Sequence, residues 1–473
     1  MQARRLVQQA RSIPASLAAP VGGWNARDAL GAMEETDAAI LTNWYPATTN
    51  CTLRFGYTNQ STGLGSQVET LMAYSGGATS KLFGIAGSSI YDCSSSGAVG
   101  AAVKTGLSNA RWQYTNFATP AGTFLSLVNG VDAPLNYDGT SWSNPAITGV
   151  TASNLVHVNI WKNRQWFIEK NTLKAWYLPV QSIAGAAAAV DMSAYCREGG
   201  YLMAAATWTI DAGYGVDDYL VFITNKGETL VWKGTDPTSA STFALVGVWR
   251  LGSPVGRRCF VKWAGDCLLI TQDGLVPLSG ALQSSRLNPR VALTDKIQFA
   301  ISDAVSNYSG NFGWQVIPFP KNNQLFLNVP VNEGSNQQQY VMNTITKAWC
   351  NFTGWAANCW ELYNDNLYFG GSGIVGQAWN GLTDNGASIQ AEALQAFNYF
   401  KSPGQLKRWT MMRPRFLSNG SPSINANINV DFDLSNTTAP LSFSPTAYAA
   451  WDSAVWDTGK WGGGLSQIGR AHV

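Results

Sequence analysis

From residue 68 onward, short runs of apolar and β-branched residues alternate with Gly, Asn and Asp positions. This is the period-two pattern of antiparallel strands joined by tight turns. Residues 81–85 are followed by Ile90-Tyr91-Asp92, and residues 124–128 by Asn129-Gly130 and a run to Trp142 around Asp138-Gly139. The clearest unit is residues 158–161, Lys162-Asn163, residues 164–169, Lys170-Asn171 and residues 173–178, which reads as three strands and two two-residue turns. Similar units at residues 219–232, 267–278, 324–349 and 366–379 recur at intervals of about 40–55 residues, the length of a four-stranded propeller blade. The pattern predicts an all-β chain: an extended N-terminal arm with the first strands (residues 1–67), a β-propeller of about six blades (68–402), and a C-terminal β domain (403–467) in which residues 424–432 alternate again. One interruption is predicted at residues 294–306. There Ile297, Ile301 and Val305 follow at four-residue spacing behind a Thr294 cap, the signature of a short amphipathic helix.

Composition supports the strand reading. The 473 residues include 47 Gly and 20 Trp with only 13% charged side chains, which suits strands and turns better than helices. A chain this long buries enough surface to need no metal or disulfide for stability. Seven cysteines (Cys51, Cys93, Cys196, Cys259, Cys267, Cys350, Cys359) contain no C-x-x-C, so neither a disulfide framework nor a zinc ribbon is expected, and no cofactor is implied. The basic start (Arg4, Arg5, Arg11) lacks the apolar core of a secretion signal, and no apolar run is long enough to span a bilayer. No membrane insertion is expected. With 31 basic and 29 acidic residues the net charge is +2, a poor match to a protein that grips nucleic acid by neutralising many phosphates.

Candidate chemistry is sparse. Asp211, Asp217 and Asp218 cluster in a glycine-bearing stretch and could bind a cation or act as acid and base, but they lack the ligand spacing of a calcium loop, and a structural turn fits them as well. Residues 136–142 compare with the Asp-box of sialidase-type propellers, yet Asp138 and Gly139 are adjacent where that turn separates them. Residues 247–258 carry glycines and Arg257-Arg258 but no Lys-Ser/Thr leading into a helix, so no phosphate loop is formed. His157 lies between Val156 and Val158 and is expected as a hydrogen-bonded strand residue. Lys407, Arg408, Arg413 and Arg415 interleave with Trp409 and could meet phosphates, a solvated face or a neighbouring subunit. The expected reading is that the chain is not an enzyme.

The stretch from Pro20 to Tyr57 is dense in special-purpose residues: Gly22-Gly23-Trp24-Asn25 with Arg27-Asp28, then Asn43-Trp44-Tyr45-Pro46, then Arg54-Phe55-Gly56-Tyr57. These GG-x-N-x-RD, NW-x-P and R-x-GY blocks resemble the opening of the tail nozzle, or packaged-DNA stabilisation, family of short-tailed bacteriophages (podoviruses). Asn129-Gly130, Asp132, Pro134, Tyr137-Asp138-Gly139 and Trp142, and the Trp451-Asp452, Trp456-Asp457, Trp461 tract, resemble later blocks of that family. The resemblance implies a virion structural protein assembled in the host bacterial cytoplasm as a homo-oligomer, a hexameric ring below the portal and adaptor. It would extend the DNA channel, retain the packaged genome through weak non-specific contact with double-stranded DNA, and dock tail fibre or tail needle proteins. Under it, Trp24, Asn25, Arg27 and Asp28 are candidate interface residues, and Lys407, Arg408 and Arg415 candidates for the channel or an interface. The alternative is a carbohydrate-binding or glycoside-acting β-propeller, which should show convergent carboxylates beside an exposed Trp; a cellular scaffold propeller that binds peptides is a third class.

The last six residues, Ile468 to Val473, read as the translation of a short-read sequencing adapter (ATC GGA AGA GCA CAC GTC). The natural chain is therefore expected to continue beyond Gln467, and residues 468–473, His472 among them, to be an artefact.

Overall fold

The computed structural model describes residues 13–77, 79–211, 216–239, 241–263, 265–281, 291–418 and 424–435. Two compact units divide the chain: one of residues 17–29 and 33–396, the other of residues 1–16, 30–32 and 397–473.

The larger unit is a β-propeller. Alternating apolar residues and tight turns fold it into successive antiparallel meanders, each too small to bury its own faces. The innermost strands in chain order are residues 68–75 of the long strand Tyr57–Ser75, then Gln113–Thr119, Leu155–Trp161, Leu202–Asp211, Phe260–Trp263, Gln315–Phe319 and Cys359–Tyr363. Each lies against the next, and Cys359–Tyr363 lies against Tyr57–Ser75, so the ring closes. Seven meanders are thus present among the described residues, where sequence spacing suggested about six. The difference arises because the closing blade is not contiguous in sequence.

That closure depends on one strand. Residues 57–67 run antiparallel to Ser372–Ala378 as the outer strand of the seventh meander, with Val375 opposite Ser61 and Ala378 opposite Tyr57. The same strand then pairs from Val68 to Ser75 with Ser80–Ala86 as the inner strand of the first. A polypeptide segment shared by two blades removes the unpaired edge that an open array would leave. The sixth blade is widened in a related way. Asp37–Thr42 adds in parallel beside Trp349–Phe352, and Gly23–Trp24 and Glu392–Gln395 each pair with Asp37–Thr42.

The apolar residues form a ring of cores between blades. Met72, Phe83, Trp112 and Leu127 fill the space between the first two; Trp161, Trp166, Phe222 and Trp232 do so between the third and fourth. Phe326, Phe352, Trp355 and Trp360 bind sixth to seventh, and Leu64, Val68, Cys359 and Val375 close seventh to first. Large aromatic rings suit this role because blades splay outward and leave wedge-shaped gaps. The predicted helix is present as a short 3-10 turn, Asp295–Ile297, followed by Gln298–Tyr308, with Ile297, Ile301 and Val305 buried. Thr294 does not cap it: its hydroxyl accepts from the Leu275 amide instead.

In the smaller unit, residues 397–418 and 424–435 carry no strand. The alternation at residues 424–432 supplies strand-forming side chains, but a strand also needs a hydrogen-bonded neighbour, and none is present among the described residues. The Trp-Asp tract at 451–461 and the terminal hexapeptide lie outside the described residues.

Candidate functional site

The three N-terminal blocks build one buried clamp on the sixth and seventh blades. In the first, Gly23 takes φ +84° and an added Cβ would lie 2.7 Å from the Trp349 carbonyl oxygen, so only glycine lets the arm approach that strand. Trp24 then packs edge-on against Tyr340. Asn25 is fully engaged: its Nδ2 donates to Asp28 and Asp37 at 2.9 and 2.8 Å, and its Oδ1 accepts from the Arg27 and Asp28 amides. Lys296 Nζ donates to the Gly22 carbonyl and to Asp37 Oδ1. Arg27 is paired with Asp28 and Asp295 while remaining partly exposed, and its guanidinium, with Asn25, holds the Asp28 carboxyl down at about 2.

The second and third blocks meet at Arg54. Asn43 sits in left-handed backbone (φ 60°), a conformation asparagine tolerates; its Oδ1 accepts from Arg54 Nε and from the Thr353 amide. Arg54, with its side chain shut off from solvent, forms a two-point pair with Asp384 at 2.8 and 2.6 Å. It also donates to the carbonyls of Phe55 and Thr353 and stacks 4.5 Å from the Trp355 ring. All five N–H donors are therefore used. Gly56 passes so close to Thr383 that a Cβ would fall 1.8 Å from its carbonyl oxygen, and Tyr57 begins the closing strand with its ring against Phe369. Trp24 and Asn25, candidates for an interface, are thus spent on contacts within the chain. Arg27 and Asp28 keep exposed faces.

A second site lies where the inner strands converge. A cavity of about 320 Å³ is lined by residues 113–115, 157–159, 205–207, 257–258, 260–262 and 315–317, with Leu71 and Cys267. Side chains tie the inner strands together across it. Asn159 Nδ2 donates to Thr207 Oγ1, and Thr207 Oγ1 to the Ile160 carbonyl. Gln315 exchanges hydrogen bonds with the Trp360 backbone at 2.8 and 3.0 Å, and the Tyr114 hydroxyl donates to Glu361 Oε2. Arg258 reaches from the fifth blade to the Thr70 hydroxyl and the Glu69 and Trp112 carbonyls. Arg257 Nη1 donates to the Met203 carbonyl at 3.0 Å. His157 is on an inner strand as expected, but its Nδ1 is buried with no hydrogen-bond partner. Burial, and then the charge of Arg257, push its pKa down to about 3, so the ring is neutral.

Burial pushes the Glu361 carboxyl well above the usual carboxylate range. A carboxyl raised in this way contributes fully below its unfolded pKa of about 4.3, and the contribution is lost as pH rises toward the raised value. Glu361→Gln, neutral at every pH and still able to accept from Tyr114, is expected to match the parent near pH 4 and to exceed it by roughly 1–2 kcal/mol at pH 8, since it avoids placing a charge in the interior. Thermal unfolding at pH 4, 6 and 8 checks this; a difference that did not grow with pH would refute it.

The other sequence candidates fall elsewhere. Asp218 Oδ1 accepts from Thr209 and its Oδ2 lies 3.4 Å from Lys162 Nζ; the side chains of Asp211 and Asp217 lie outside the described residues. No cluster of three metal-ligating side chains occurs among the described residues. Asp138 closes its own turn on the Thr140 and Ser141 amides. Lys407, Arg408 and Arg415 are exposed in the smaller unit, and Lys407 Nζ donates to the Ser402 carbonyl at 2.7 Å. The residues that sequence reading passed over are Tyr114, Gln315 and Glu361; Arg257-Arg258 stood out as a doublet leading into a strand but were weighed only as part of a phosphate loop.

No family model matches the chain, and no curated protein resembles it in sequence. It is similar in structure to "YCF48 bound to D1 peptide" at 9% identity and TM-score 0.41, over 69% of this chain and 94% of that one. It is also similar to "Crystal structure of BBS1N in complex with ARL6DN, soaked with lead" at 8% identity and TM-score 0.42, over 71% of this chain and all of that one. At this level neither likeness bears on function.

Proposed function

We propose that the chain is a structural subunit of a short bacteriophage tail, a nozzle protein that oligomerises, as a hexamer, below the portal and adaptor, extends the DNA channel and docks tail fibre or needle proteins. The observation that carries the reading lies in residues 397–418 and 424–435. They form no strand among the described residues and expose Leu406, Trp409, Met411, Leu417, Val430 and Phe432. Apolar side chains exposed on backbone without a strand partner are what a neighbouring subunit covers, by adding a strand or closing an interface. Lys407, Arg408 and Arg415, on the same segment, give that contact a basic rim or face the channel. Arg27 and Asp28 supply a second polar patch for the adaptor or a neighbour.

The net charge of +2 suits a conduit. Each neutralised phosphate adds to affinity by releasing counterions, so a strongly basic wall would hold the genome that a tail must let go. The protein's place under this reading is the virion tail, reached after assembly in the host cytoplasm. Light scattering or native mass spectrometry of the purified chain, alone and with its cognate adaptor ring, tests it. A hexamer, or a monomer that becomes hexameric on the adaptor, is the expected result; a monomer indifferent to the adaptor overturns the reading.

A further inference from the structure

The cavity between the inner strands has an unbalanced wall. Arg257, Arg258 and Lys262 line it, and no Asp or Glu is among its lining residues. Glu361, which accepts from Tyr114 of the lining, is driven toward its neutral form by burial. Among the described residues neither Arg257 nor Arg258 is in an ion pair; the Glu69 carboxylate nearest Arg258 is taken by Arg111.

The two arginines differ in what remains open. Arg258 is committed through Nη2 to three acceptors on the opposite wall and lies against the Phe312 ring, so it acts as a brace. Arg257 places one N–H on the Met203 carbonyl; a guanidinium has five, and among the described residues no other acceptor meets the rest. His157 also lines the space, with its unpartnered Nδ1 turned out of reach of water. Gln113 and Lys262 also line it. Arg257 is half-buried and lines the cavity, so its unmet N–H groups stay open to water or to an anion that takes its place.

We propose that the central cavity is a binding site for a small oxyanion, a carboxylate or phosphate, held by the free edge of the Arg257 guanidinium and by His157, with Lys262 at its margin. A planar fork of N–H donors matches the paired oxygens of either group. A volume of about 320 Å³ is at the lower end of small-molecule sites, suiting an anion of a few heavy atoms with its bridging waters. The inference stands apart from the tail reading, because it rests only on the propeller's interior.

The test is isothermal titration of the full chain with inorganic phosphate and, separately, with acetate and citrate, at constant ionic strength against chloride. The imidazole proton resonances are followed in parallel in a His472→Ala background, which leaves His157 as the single histidine. Saturable binding that shifts the His157 resonance is the expected result; phosphate and carboxylate arms identify which oxyanion is preferred. Arg257→Gln is expected to weaken the dissociation constant at least ten-fold while the unliganded variant unfolds at the same temperature or higher, because it removes an uncompensated cation. His157→Asn provides a second reading if Arg257→Gln does not fold. No saturable binding up to about 10 mM, an unmoved His157 resonance, or binding unchanged in both variants overturns the proposal.

Discussion

Replacing Arg54 by alanine is expected to remove about 3–5 kcal/mol of folding stability, the cost of breaking a buried pair and leaving its partner uncompensated. The guanidinium bridges Asp384, Asn43 and the carbonyls of Phe55 and Thr353, and its plane covers the Trp355 ring. Removal strands Asp384, whose Oδ1 would keep only the Trp355 indole N–H, and opens a gap beside Phe352 and Trp355. Arg54→Lys retains the charge but not the fork, so it should recover only part of the loss. Asp384→Asn should cost a comparable amount, since it leaves the fully buried Arg54 charge uncompensated and sets an amide NH2 against one of its two donors. Urea unfolding of the four proteins measures these differences. A loss below about 1 kcal/mol for Arg54→Ala would mean that the arm is held by its strands rather than by this clamp.

Arg54 also shows where sequence reading stops. Its block was conspicuous as Arg-x-Gly-Tyr, yet its carboxylate partner is 330 positions away, and nothing local distinguishes an arginine bound for a distant aspartate from one facing water. Local features were legible. The meander of residues 155–177 follows its alternation and turn residues, with Lys162 and Asn163 both in left-handed backbone as a two-residue hairpin turn demands. The helix at residues 298–308 was legible from the spacing of its buried face, but its cap was not, because Thr294 has a better use on a neighbouring strand. The cavity was illegible for a topological reason. Six of the blades contribute to it, through short groups of residues about 40–60 positions apart, so Tyr114, His157, Thr207, Arg257 and Gln315 share no motif and become neighbours only when the ring closes. The number of meanders was obscured in the same way, since the seventh takes its outer strand from residues 57–67.

A chain beginning at Gln67 is therefore expected not to fold cooperatively, although it keeps nearly every residue of the repeating pattern. It lacks the outer strand of the closing blade, the strand Asp37–Thr42 that widens the sixth, and the whole Arg54 clamp. The buried side chains of Ala38, Leu41, Tyr45 and Leu64 go with them. What remains has an unpaired strand edge along Ser372–Ala378 and wedge-shaped gaps beside Trp355, Trp360 and Val375. The loss should spread, because each blade is stabilised mainly by its neighbours and an opened ring leaves two blades with one neighbour each. Near-ultraviolet circular dichroism and dye binding to exposed apolar surface report it directly. Adding a peptide of residues 13–66 in trans should restore the cooperative transition. Strand addition supplies the missing ladder without covalent linkage, and the clamp residues Asn25, Asn43 and Arg54 all travel with the peptide. Rescue should fail with the Arg54→Ala peptide. If instead the truncated chain unfolded cooperatively at the parent's midpoint, the ring would have to be held by its inter-blade cores alone, and the shared strand would be a consequence of closure rather than its cause.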